Sequence, residues 1–393
     1  MIVAGIMTGT SLDAIDVAIC DISIEGDRES VTLVSFASTP YPDDVADLVS
    51  AAIAGTATME QLSDLPFELS RAYAAALSPF RHFALSPSHP YTLDLVGIHG
   101  QTLWHHPPVS TWQGASGPAL SALIGLPVVH DFRAADVALG GQGAPLVPIF
   151  DQMMLRHATQ DRIALNIGGM SNVTLLPAVI PSRSPERSEG GSEERIAEQR
   201  SIRAFDTGPG NVLINAICRR TYGARYDDGG RFARAGVINQ RALDELKAHP
   251  YFAMEPPKST GREVFSDEMA EMLYRKFAHP SVPSEDLIAT LTELTAWSIT
   301  DHILRYQPST TEVIVSGGGV HNTYLMERMR TLAPGMMFTS SADHGVDPDA
   351  KEAMCFAYLA ARTYHGLPGN IPSVTGASRA VVLGSVSAQT PIR

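Results

Sequence analysis

A chain of 393 residues is long enough for two ordinary domains or one large one, each with a substantial core. Its hydrophobic content of 44% and charged content of 18% are typical of a soluble globular protein. The formal net charge of −13 argues against a nucleic-acid partner, because nucleic acids bind to basic surfaces. The charge is compatible with an enzyme that holds an anionic substrate through a few placed groups or a metal ion.

The cysteines and the N-terminus indicate the compartment. The three cysteines have no paired spacing, which excludes a disulfide framework or a cysteine-based zinc site and fits a reducing compartment. The N-terminus has no basic residues before its apolar run, and Gly5 interrupts that run, so the sequence does not predict a signal peptide. No apolar run approaches the roughly 20 residues that a membrane span needs. We therefore expect a cytoplasmic protein without a membrane partner.

The N-terminal region predicts a β-meander with a ligand-binding first turn. Three strands are predicted, at residues 2–7, 14–24 and 31–37, and helices follow at 43–53 and 59–77. The first turn holds Gly9, Thr10 and Ser11, and such a turn lets phosphate oxygens approach backbone N–H and hydroxyl groups. Asp13 and Asp16 come next. They suit a bridging cation or a sugar hydroxyl beside a phosphate, and otherwise they are solvated turn residues.

The opening pattern returns at residues 163–175, which read as strand, glycine-serine turn and strand. We interpret this as an internal repeat in which Gly168 and Gly169 form the second turn. Two similar lobes are expected, each beginning with a hairpin that faces a nucleotide phosphate. Residues 181–200 have almost no apolar side chains and predict a surface loop within the second meander.

Polar residues follow two further predicted strands of the first lobe. The strand at 93–98 precedes Gln101 and Thr102, and the strand at 127–130 precedes Arg133 and Asp136. Open α/β sheets place ligands at the carboxyl ends of their strands. Arg133 either pairs with Asp136 or one of them binds a polyhydroxylated ligand, because carboxylate and amide groups match vicinal hydroxyls. The adjacent His105 and His106 point apart and are not expected to bind a metal.

The stretch at residues 203–216 is the strongest candidate for chemistry. A short strand is predicted to end at Asp206. The chain is then turned by Gly208, Pro209 and Gly210, after which apolar residues recur at helical spacing. A helix N-terminus offers free N–H groups that suit an anion such as phosphate. A carboxylate there is placed to accept a proton from water or a hydroxyl. The alternative is that Asp206 only caps the turn.

Two later segments complete the set. The strand at 313–315 leads into Gly317, Gly318 and Gly319 and then a helix, which predicts either a nucleotide floor or a tight strand-to-helix connection. Another long helix is predicted at 287–304. Glu352 lies in the first turn of a later helix, where it serves the helix dipole or organises a metal ion.

Taken together, these motifs resemble the anhydro-N-acetylmuramic acid kinases, within the sugar-kinase, Hsp70 and actin superfamily. The matching segments follow the family's order and span nearly the whole chain: 5–16, 97–102, 131–148, 165–175, 205–213, 257–262, 315–322 and 367–376. The resemblance implies an α/β, two-lobed fold with duplicated mixed-sheet domains around a central cleft. It implies an N-terminal lobe at 1–160 and a C-terminal lobe at 161–393. Whether the C-terminal tail returns to the first lobe is left open.

The resemblance also implies a reaction. ATP, water and a 1,6-anhydro sugar give ADP and the sugar 6-phosphate, a step of peptidoglycan recycling, with Asp206 as the general base. Mg²⁺ is expected, with Asp206 and Glu352 as its ligands. The expected ATP-binding residues are Gly9, Thr10, Ser11, Leu12, Asp13, Ala14, Ile15, Asp16, Gly168, Gly169, Gly317, Gly318, Gly319 and Asn322. The expected sugar-binding residues are Asp13, Gln101, Thr102, Arg133, Asp136, Gln142 and Asn166.

One departure from the family's pattern affects the substrate. Ala134 and Ala135 follow Arg133, where bacterial relatives often carry a further arginine that would help to hold the lactyl carboxylate. A neutral anhydro sugar such as levoglucosan is therefore the alternative substrate. A nucleotide-dependent chaperone or filament protein is less favoured, because the chain has no room for a peptide-binding domain after the ATPase lobes. Assembly as a homodimer is left open.

Overall fold

The computed structural model describes residues 1–9, 12, 14–80, 84–86, 89–90, 92–179, 201–278 and 283–389. The chain divides into two compact units. Unit 1 comprises Met1–Met154 and Gly345–Arg393, and unit 2 comprises Leu155–His344. The sequence-based division differs at two points. It placed the first boundary after residue 160, and it assigned all later residues to the second lobe while leaving the return of the tail open. Residues 345–393 pack with unit 1.

Unit 1 is built on a mixed sheet with helices packed against it. Its strands are β1 (Ile2–Thr8), β2 (Ala14–Glu25), β3 (Arg28–Pro40), β4 (Ala84–Ser86), β5 (His89–Pro90), β6 (Leu95–Ile98), β7 (Gln101–His106), β8 (Ser110–Gly114) and β9 (Val128–His130). Its first helices are α1 (Asp43–Ile53), α2 (Met59–Leu77), α3 (Gly117–Ile124), α4 (Ala134–Ala138) and α5 (Pro148–Leu155). The main sheet runs β3-β2-β1-β6-β9 and ends with a C-terminal strand on β9. The pairs β4–β5 and β7–β8 are separate hairpins.

Unit 2 has its own sheet and a largely helical second half. Its strands are β10 (Arg162–Ile167), β11 (Met170–Leu176), β12 (Arg203–Pro209), β13 (Glu312–Ser316) and β14 (Met337–Ser340). Its helices are α6 (Val212–Tyr222), α7 (Arg231–Ala235), α8 (Gln240–Lys247), α9 (Pro250–Ala253), α10 (Asp267–Phe277), α11 (Ser284–Tyr306) and α12 (Thr323–Leu332). The chain then returns to unit 1 with α13 (Lys351–Tyr364), α14 (Pro372–Thr375) and β15 (Ser385–Ser387).

The two sheets repeat one topology, which confirms the predicted duplication. In unit 1, β1, β2 and β3 form an antiparallel meander, and β6 and β9 add to β1 in parallel. In unit 2, β10, β11 and β12 form the meander, and β13 and β14 add to β10 in parallel. The fold is therefore α/β with duplicated mixed-sheet domains.

Two glycines explain why a C-terminal helix belongs to unit 1. Gly5 on β1 and Gly97 on β6 are direct partners across the sheet. A Cβ at Gly5 would lie 1.9 Å from the carbonyl oxygen of Ala353, and one at Gly97 would lie 2.4 Å from that of Phe356. Only residues without a side chain let α13 pack so closely on this sheet. Among the described residues, no helix is long and apolar enough to cross a membrane.

Candidate active site

Asp206 lies near the end of β12, half-buried and enclosed by a later segment of unit 2. Its backbone N–H donates to the carbonyl of Lys258 at 3.1 Å, and its own carbonyl accepts from the Tyr251 hydroxyl at 2.7 Å. Carboxylate oxygen Oδ2 accepts the backbone N–H of Thr260 at 2.8 Å. Within the described part of the chain, no cation lies within ion-pair distance of this carboxylate. Asp206 is thus held in place without a permanent charged partner.

The surroundings of Asp206 make its carboxylate a better base. Burial raises the pKa of Asp206 to about 6, the N–H of Thr260 partly offsets this rise, and the negative charge of Glu263 adds to it. A carboxyl group with a pKa near 6 is ionised at neutral pH and still takes up a proton readily. The arrangement suits the removal of a proton from water or a hydroxyl group.

The Gly168–Gly169 turn explains the geometry beside Asp206 and corrects one expectation. We expected the start of α6 to offer free N–H groups to a phosphate. Instead, the N–H groups of Gly210 and Val212 donate to the Gly169 carbonyl, at 2.8 and 3.0 Å, and that of Asn211 donates to Gly168 at 2.9 Å. These three donors are used to hold the turn between β10 and β11, so they are not available to an anion.

The turn itself presents its other side to open space. A Cβ at Gly169 would meet no atom within 4 Å, and one at Gly168 would be no closer than 3.7 Å to any neighbour. Because the carbonyls of both glycines are fixed by α6, the backbone here has a defined shape. An unobstructed, rigid glycine turn fits the close approach of a phosphate.

The three glycines of the predicted nucleotide floor, Gly317–Gly319, directly follow β13. A Cβ at Gly317 would lie 2.6 Å from Oδ1 of Asn166, and one at Gly319 would lie 2.4 Å from the Ile167 side chain, whereas Gly318 faces open space. Asn322 is buried, and its Oδ1 caps α12 by accepting the N–H of Leu325 at 3.0 Å. The glycines and Asn166 therefore lie together beside the ends of β10 and β13, and the side-chain oxygen of Asn322 holds the helix start.

In unit 1, the described part of the first hairpin shows Gly9, Leu12 and Ala14–Asp16. Leu12 has a positive φ of 56°, and its N–H donates to the Gly9 carbonyl at 3.4 Å. The Ile15 side chain lies in the hydrophobic core, so only its backbone remains for a ligand. Thr10, Ser11 and Asp13, which we expected to bind ATP or the sugar, lie outside the described residues, as does the predicted loop at 181–200.

Asp16 and Glu352 form an acidic pair within unit 1. Burial raises the pKa of Asp16, and the nearby charge of Asp349 adds to the rise. Burial likewise raises the pKa of Glu352, and the negative charge of Asp16 contributes further. The positive charges of Lys351 and Arg133 act in the opposite direction on the pKa of Glu352. No cluster of three or more metal-ligating side chains occurs among the residues that the structure describes.

Arg133 is engaged with its own neighbours. Its Nε and Nη2 donate to Nε2 of His99 at 3.1 and 2.7 Å, and Nη1 donates to the carbonyl of Gly143 at 3.1 Å. Burial and the charge of Arg133 lower the pKa of His99 well below its ordinary value, so His99 is a neutral acceptor. The guanidinium joins β6 to the glycine-rich loop after α4.

Asp136 and Gln142 have opposite environments. The Asp136 side chain is fully buried, and it accepts from the Gly143 N–H, the Asn370 amide and the Thr375 hydroxyl at 2.7–2.8 Å. The expectation that Asp136 contacts the sugar gains no support, because its oxygens are occupied within the fold. Gln142 is exposed, and its backbone N–H is anchored to the Thr375 carbonyl at 2.7 Å.

Gln101 and Thr102 begin β7. Gln101 is fully buried and accepts the Tyr41 hydroxyl at 3.3 Å through Oε1, while its Nε2 has no described partner. Thr102 is half-buried on the following position of the strand. Both residues lie shortly after the carboxyl end of β6, and the Gln101 side chain is buried within unit 1.

A cavity of about 250 Å³ lies within unit 1 at the carboxyl ends of β6 and β9. Its lining includes Trp112, Gln113, His130 and Asp131, none of which the sequence analysis named as a site residue. Burial lowers the pKa of His130 and raises that of Asp131. The sequence predicted polar residues at the ends of β6 and β9, and this was the available signal for the cavity. It did not show that the β7–β8 hairpin contributes Trp112 and Gln113 to the lining.

The segment that encloses Asp206 was also missed as a set of site residues. The sequence analysis names residues 257–262 only as a segment that matches the family's pattern, yet Lys258 and Thr260 contact Asp206 directly through their backbones. Tyr251 precedes this loop, and nothing in its sequence context pointed to a hydroxyl on the Asp206 carbonyl. The match of residues 257–262 to the family's pattern was the one usable signal.

Comparisons with known proteins agree with this architecture. The family model described as "Anhydro-N-acetylmuramic acid kinase" matches residues 1–187 and 193–389. A protein of that name from Salinibacter ruber is 38% identical over 402 residues, covering 99% of this chain and 96% of its own. One from Saccharophagus degradans is 39% identical with 97% of each chain covered, and one from Bacillus cereus is 37% identical with 98% and 99% covered. The chain belongs to the anhydro-N-acetylmuramic acid kinase family.

Proposed function

We propose that this protein is an ATP-dependent kinase that opens 1,6-anhydro-N-acetylmuramic acid with water and phosphorylates its O6, in the cytoplasmic recycling of peptidoglycan. The observation that carries the proposal is Asp206: a half-buried carboxylate with a pKa of about 6 and one oxygen held by a backbone N–H. Family membership supports the sugar and the phosphoryl donor.

The proposed reaction balances as follows. Oδ1 or Oδ2 of Asp206 takes a proton from water, whose oxygen bonds to C1 of the anhydro sugar while the C1–O6 bond breaks. O6 then bonds to the γ-phosphorus of ATP, the bond from γ-phosphorus to the bridging oxygen breaks, and ADP leaves. General-base catalysis by a placed carboxylate contributes about 10²–10⁴-fold to such a step. The Thr260 N–H fixes the carboxylate in one orientation, which keeps the base in position.

The ATP phosphates are assigned to the two glycine turns of the repeated hairpins, around Gly9 and Gly168–Gly169, and the nucleotide to Gly317–Gly319. The open side of Gly169 and Gly318 supports this assignment, because a bound phosphate needs that space. Glu352 is the proposed carboxylate for Mg²⁺, and the nearby negative charge of Asp16 supports a cation in unit 1. Asp206 is assigned the base role alone, because a carboxylate that binds Mg²⁺ takes up a proton only at lower pH. Mg²⁺ typically uses one or two carboxylates plus phosphates and water, and it offsets charge on the transferring group.

The cavity of unit 1 is the proposed contact surface of this unit for the sugar. Trp112 offers an aromatic face to the ring, and Gln113 and Asp131 offer hydrogen bonds to hydroxyl or amide groups. Thr102 and Gln142 remain candidates for further polar contacts, since neither is fully buried.

The cavity also supports a second substrate candidate. Its lining contains Asp131 but no lysine or arginine among the described residues, and the Arg133 guanidinium is occupied by His99 and Gly143. A sugar without a carboxylate, such as levoglucosan, fits this environment. Comparison of kcat/KM for the two anhydro sugars decides between them: a higher value for levoglucosan would reverse the assignment.

The reaction itself is tested in water enriched in ¹⁸O. The protein, ATP, Mg²⁺ and the anhydro sugar are incubated, and the product is analysed by mass spectrometry and NMR. We expect one ¹⁸O at C1, none in the phosphate, and a phosphate on O6. Asp206→Asn is the inactive comparison, and Asp44→Asn, on an exposed position of α1, is the matched control. Absence of a ring-opened 6-phosphate with either sugar would refute the proposed function.

A further inference from the structure

Lys258 is a buried lysine without a carboxylate partner. Its side chain is 7% exposed, and no carboxylate lies within ion-pair distance among the described residues. The ammonium group instead donates to the Tyr251 carbonyl at 3.2 Å and to Nε2 of His302 at 2.7 Å, and it lies 4.6 Å from the centre of the Tyr251 ring. Burial of a cation is costly unless its hydrogen bonds are satisfied, so this geometry indicates a specific role.

His302 is built to accept from this ammonium group. It projects from α11, and its Nδ1 donates to the Ser298 carbonyl at 2.5 Å, which leaves Nε2 as the acceptor. Burial lowers the pKa of His302 to about 4, and the charge of Lys258 contributes to the lowering. The imidazole is therefore neutral throughout the range in which an enzyme of this kind works. The His302 ring also packs on the ring of Phe205, the residue before Asp206, with 5.9 Å between the two ring centres.

Three contacts reach Asp206 from the segment that Lys258 holds. The Lys258 carbonyl accepts the Asp206 N–H, the Tyr251 hydroxyl donates to the Asp206 carbonyl, and the Thr260 N–H donates to Oδ2. Lys258 itself links two parts of this enclosure, because its side chain binds the Tyr251 carbonyl. Through His302, the same ammonium group attaches the segment to α11.

We propose that Lys258 is a positioning residue, which with His302 keeps residues 251–260 closed on Asp206. The proposal rests on the proposed function, in which Asp206 is the base. Lys258 touches no substrate in this account and acts through the three contacts to Asp206. Without the ammonium group the segment loosens, water reaches the carboxylate, and the base loses both its orientation and its raised proton affinity.

The charged groups around this pair define what a pH measurement will report. The pKa of Lys258 is lowered to about 8. Burial is the main cause and the charge of Arg305 contributes, whereas Glu255 and Asp301 act in the opposite direction. Glu263 is the charged group that acts on Asp206 itself. His302 titrates well below the range of Asp206, so a change near pH 6 in activity reports Asp206 and neither member of the pair.

The decisive variant is Lys258→Met, which keeps the length of the side chain and removes the ammonium group. We expect kcat to fall about 10–100-fold with the KM for ATP changed less than twofold, because only the base is displaced. Since burial is the largest cause of the raised pKa of Asp206, the acidic midpoint of kcat/KM should move to lower pH. Lys247→Met is the matched control, because Lys247 lies over the Trp297 ring at 4.9 Å without contacting Asp206.

A pair of variants at His302 separates positioning from simple stabilisation. His302→Gln keeps an acceptor for Lys258 and should stay within about threefold of the wild-type kcat, whereas His302→Leu should behave like Lys258→Met. This pair also decides the matter if Lys258→Met does not fold. A lower melting temperature with an unchanged kcat and acidic midpoint in the variants that fold would overturn the proposal. If the wild-type protein lacks the acidic limb near pH 6, the base assignment fails instead.

Discussion

Asp206 in unit 2 and Asp136 in unit 1 look alike in the sequence and have opposite environments in the structure. In the sequence, each is predicted at or just after the end of a strand and beside a glycine-rich loop. In the structure, Asp206 lies within β12, which continues to Pro209, and Asp136 lies within α4. Asp136 is fully buried and receives three hydrogen bonds, from Gly143, Asn370 and Thr375. Asp206 receives one hydrogen bond on its carboxylate, from Thr260, among the described residues.

The difference is one of hydrogen-bond saturation. A carboxylate whose lone pairs are filled by fixed donors is a structural anchor, because its replacement leaves those buried donors without an acceptor. A half-buried carboxylate with unused acceptor capacity is destabilised as an anion and therefore takes up protons at a higher pH. Asp136 has the first environment and Asp206 the second, although the two sheets that carry them share one topology.

The largest expected effect separates the two aspartates by activity. Asp206→Asn should reduce kcat by about 10²–10⁴-fold, because the amide cannot take a proton from water. ATP binding, measured by calorimetry, should stay within about twofold, and the far-UV circular dichroism should be unchanged. Retention of a tenth or more of the wild-type kcat would remove Asp206 from the base role.

The matching change at the other aspartate should act on stability. Asp136→Asn turns an acceptor oxygen into a donor that faces the Gly143 N–H or the Asn370 amide, at a fully buried position. We expect a loss of about 2–4 kcal/mol in the free energy of unfolding, measured in urea, with kcat per folded molecule within about threefold. Asp44→Asn serves as the exposed control and should change stability by less than about 0.5 kcal/mol. A large loss of kcat in a stable Asp136→Asn protein would contradict this distinction.

Most of the fold was accessible from the sequence because its signals are local. The predicted helices at 43–53 and 59–77 coincide with α1 and α2, and the prediction at 287–304 lies within α11. The repeat was visible because strand, glycine turn and strand recur within about a dozen residues in each half. Asp206 was identified for the same reason, since a Gly-Pro-Gly sequence that follows a predicted strand is a strong local signal for a turn.

The parts that the sequence did not reveal depend on contacts between distant residues. Asn370 and Thr375 lie 234 and 239 positions after Asp136, and no local pattern links them to it. The start of α6 was expected to be free for a phosphate, yet its amides are used by a turn some 40 residues earlier. Lys258 has an ordinary sequence context, and only the fold brings it against His302.

The pH dependence of activity sharpens the comparison further. With a pKa of about 6, Asp206 is mostly ionised at pH 7.5 and mostly protonated at pH 5. The value of kcat/KM should therefore fall as the pH drops through about 6, approaching tenfold per pH unit below it. Initial rates at saturating ATP and low sugar, from pH 4.5 to 8.5, measure this limb. A limb centred near 4 would mean that the carboxylate is as well solvated as an ordinary aspartate.

The smallest expected effect has opposite signs at the two aspartates. Because the folded-state pKa of Asp206 is raised from 3.8 to about 6, its ionisation disfavours folding progressively as the pH rises from about 4 to 6, and that cost persists above pH 6. Asp206→Asn removes the cost, so it should stabilise the protein by about 1–2 kcal/mol at pH 8, after allowance for partial solvent exposure, and by less at pH 5. Asp136→Asn should destabilise at both values. Urea unfolding of both variants at pH 5 and pH 8 measures the contrast, and a destabilised Asp206→Asn protein at pH 8 would show that its carboxylate is a structural anchor like that of Asp136.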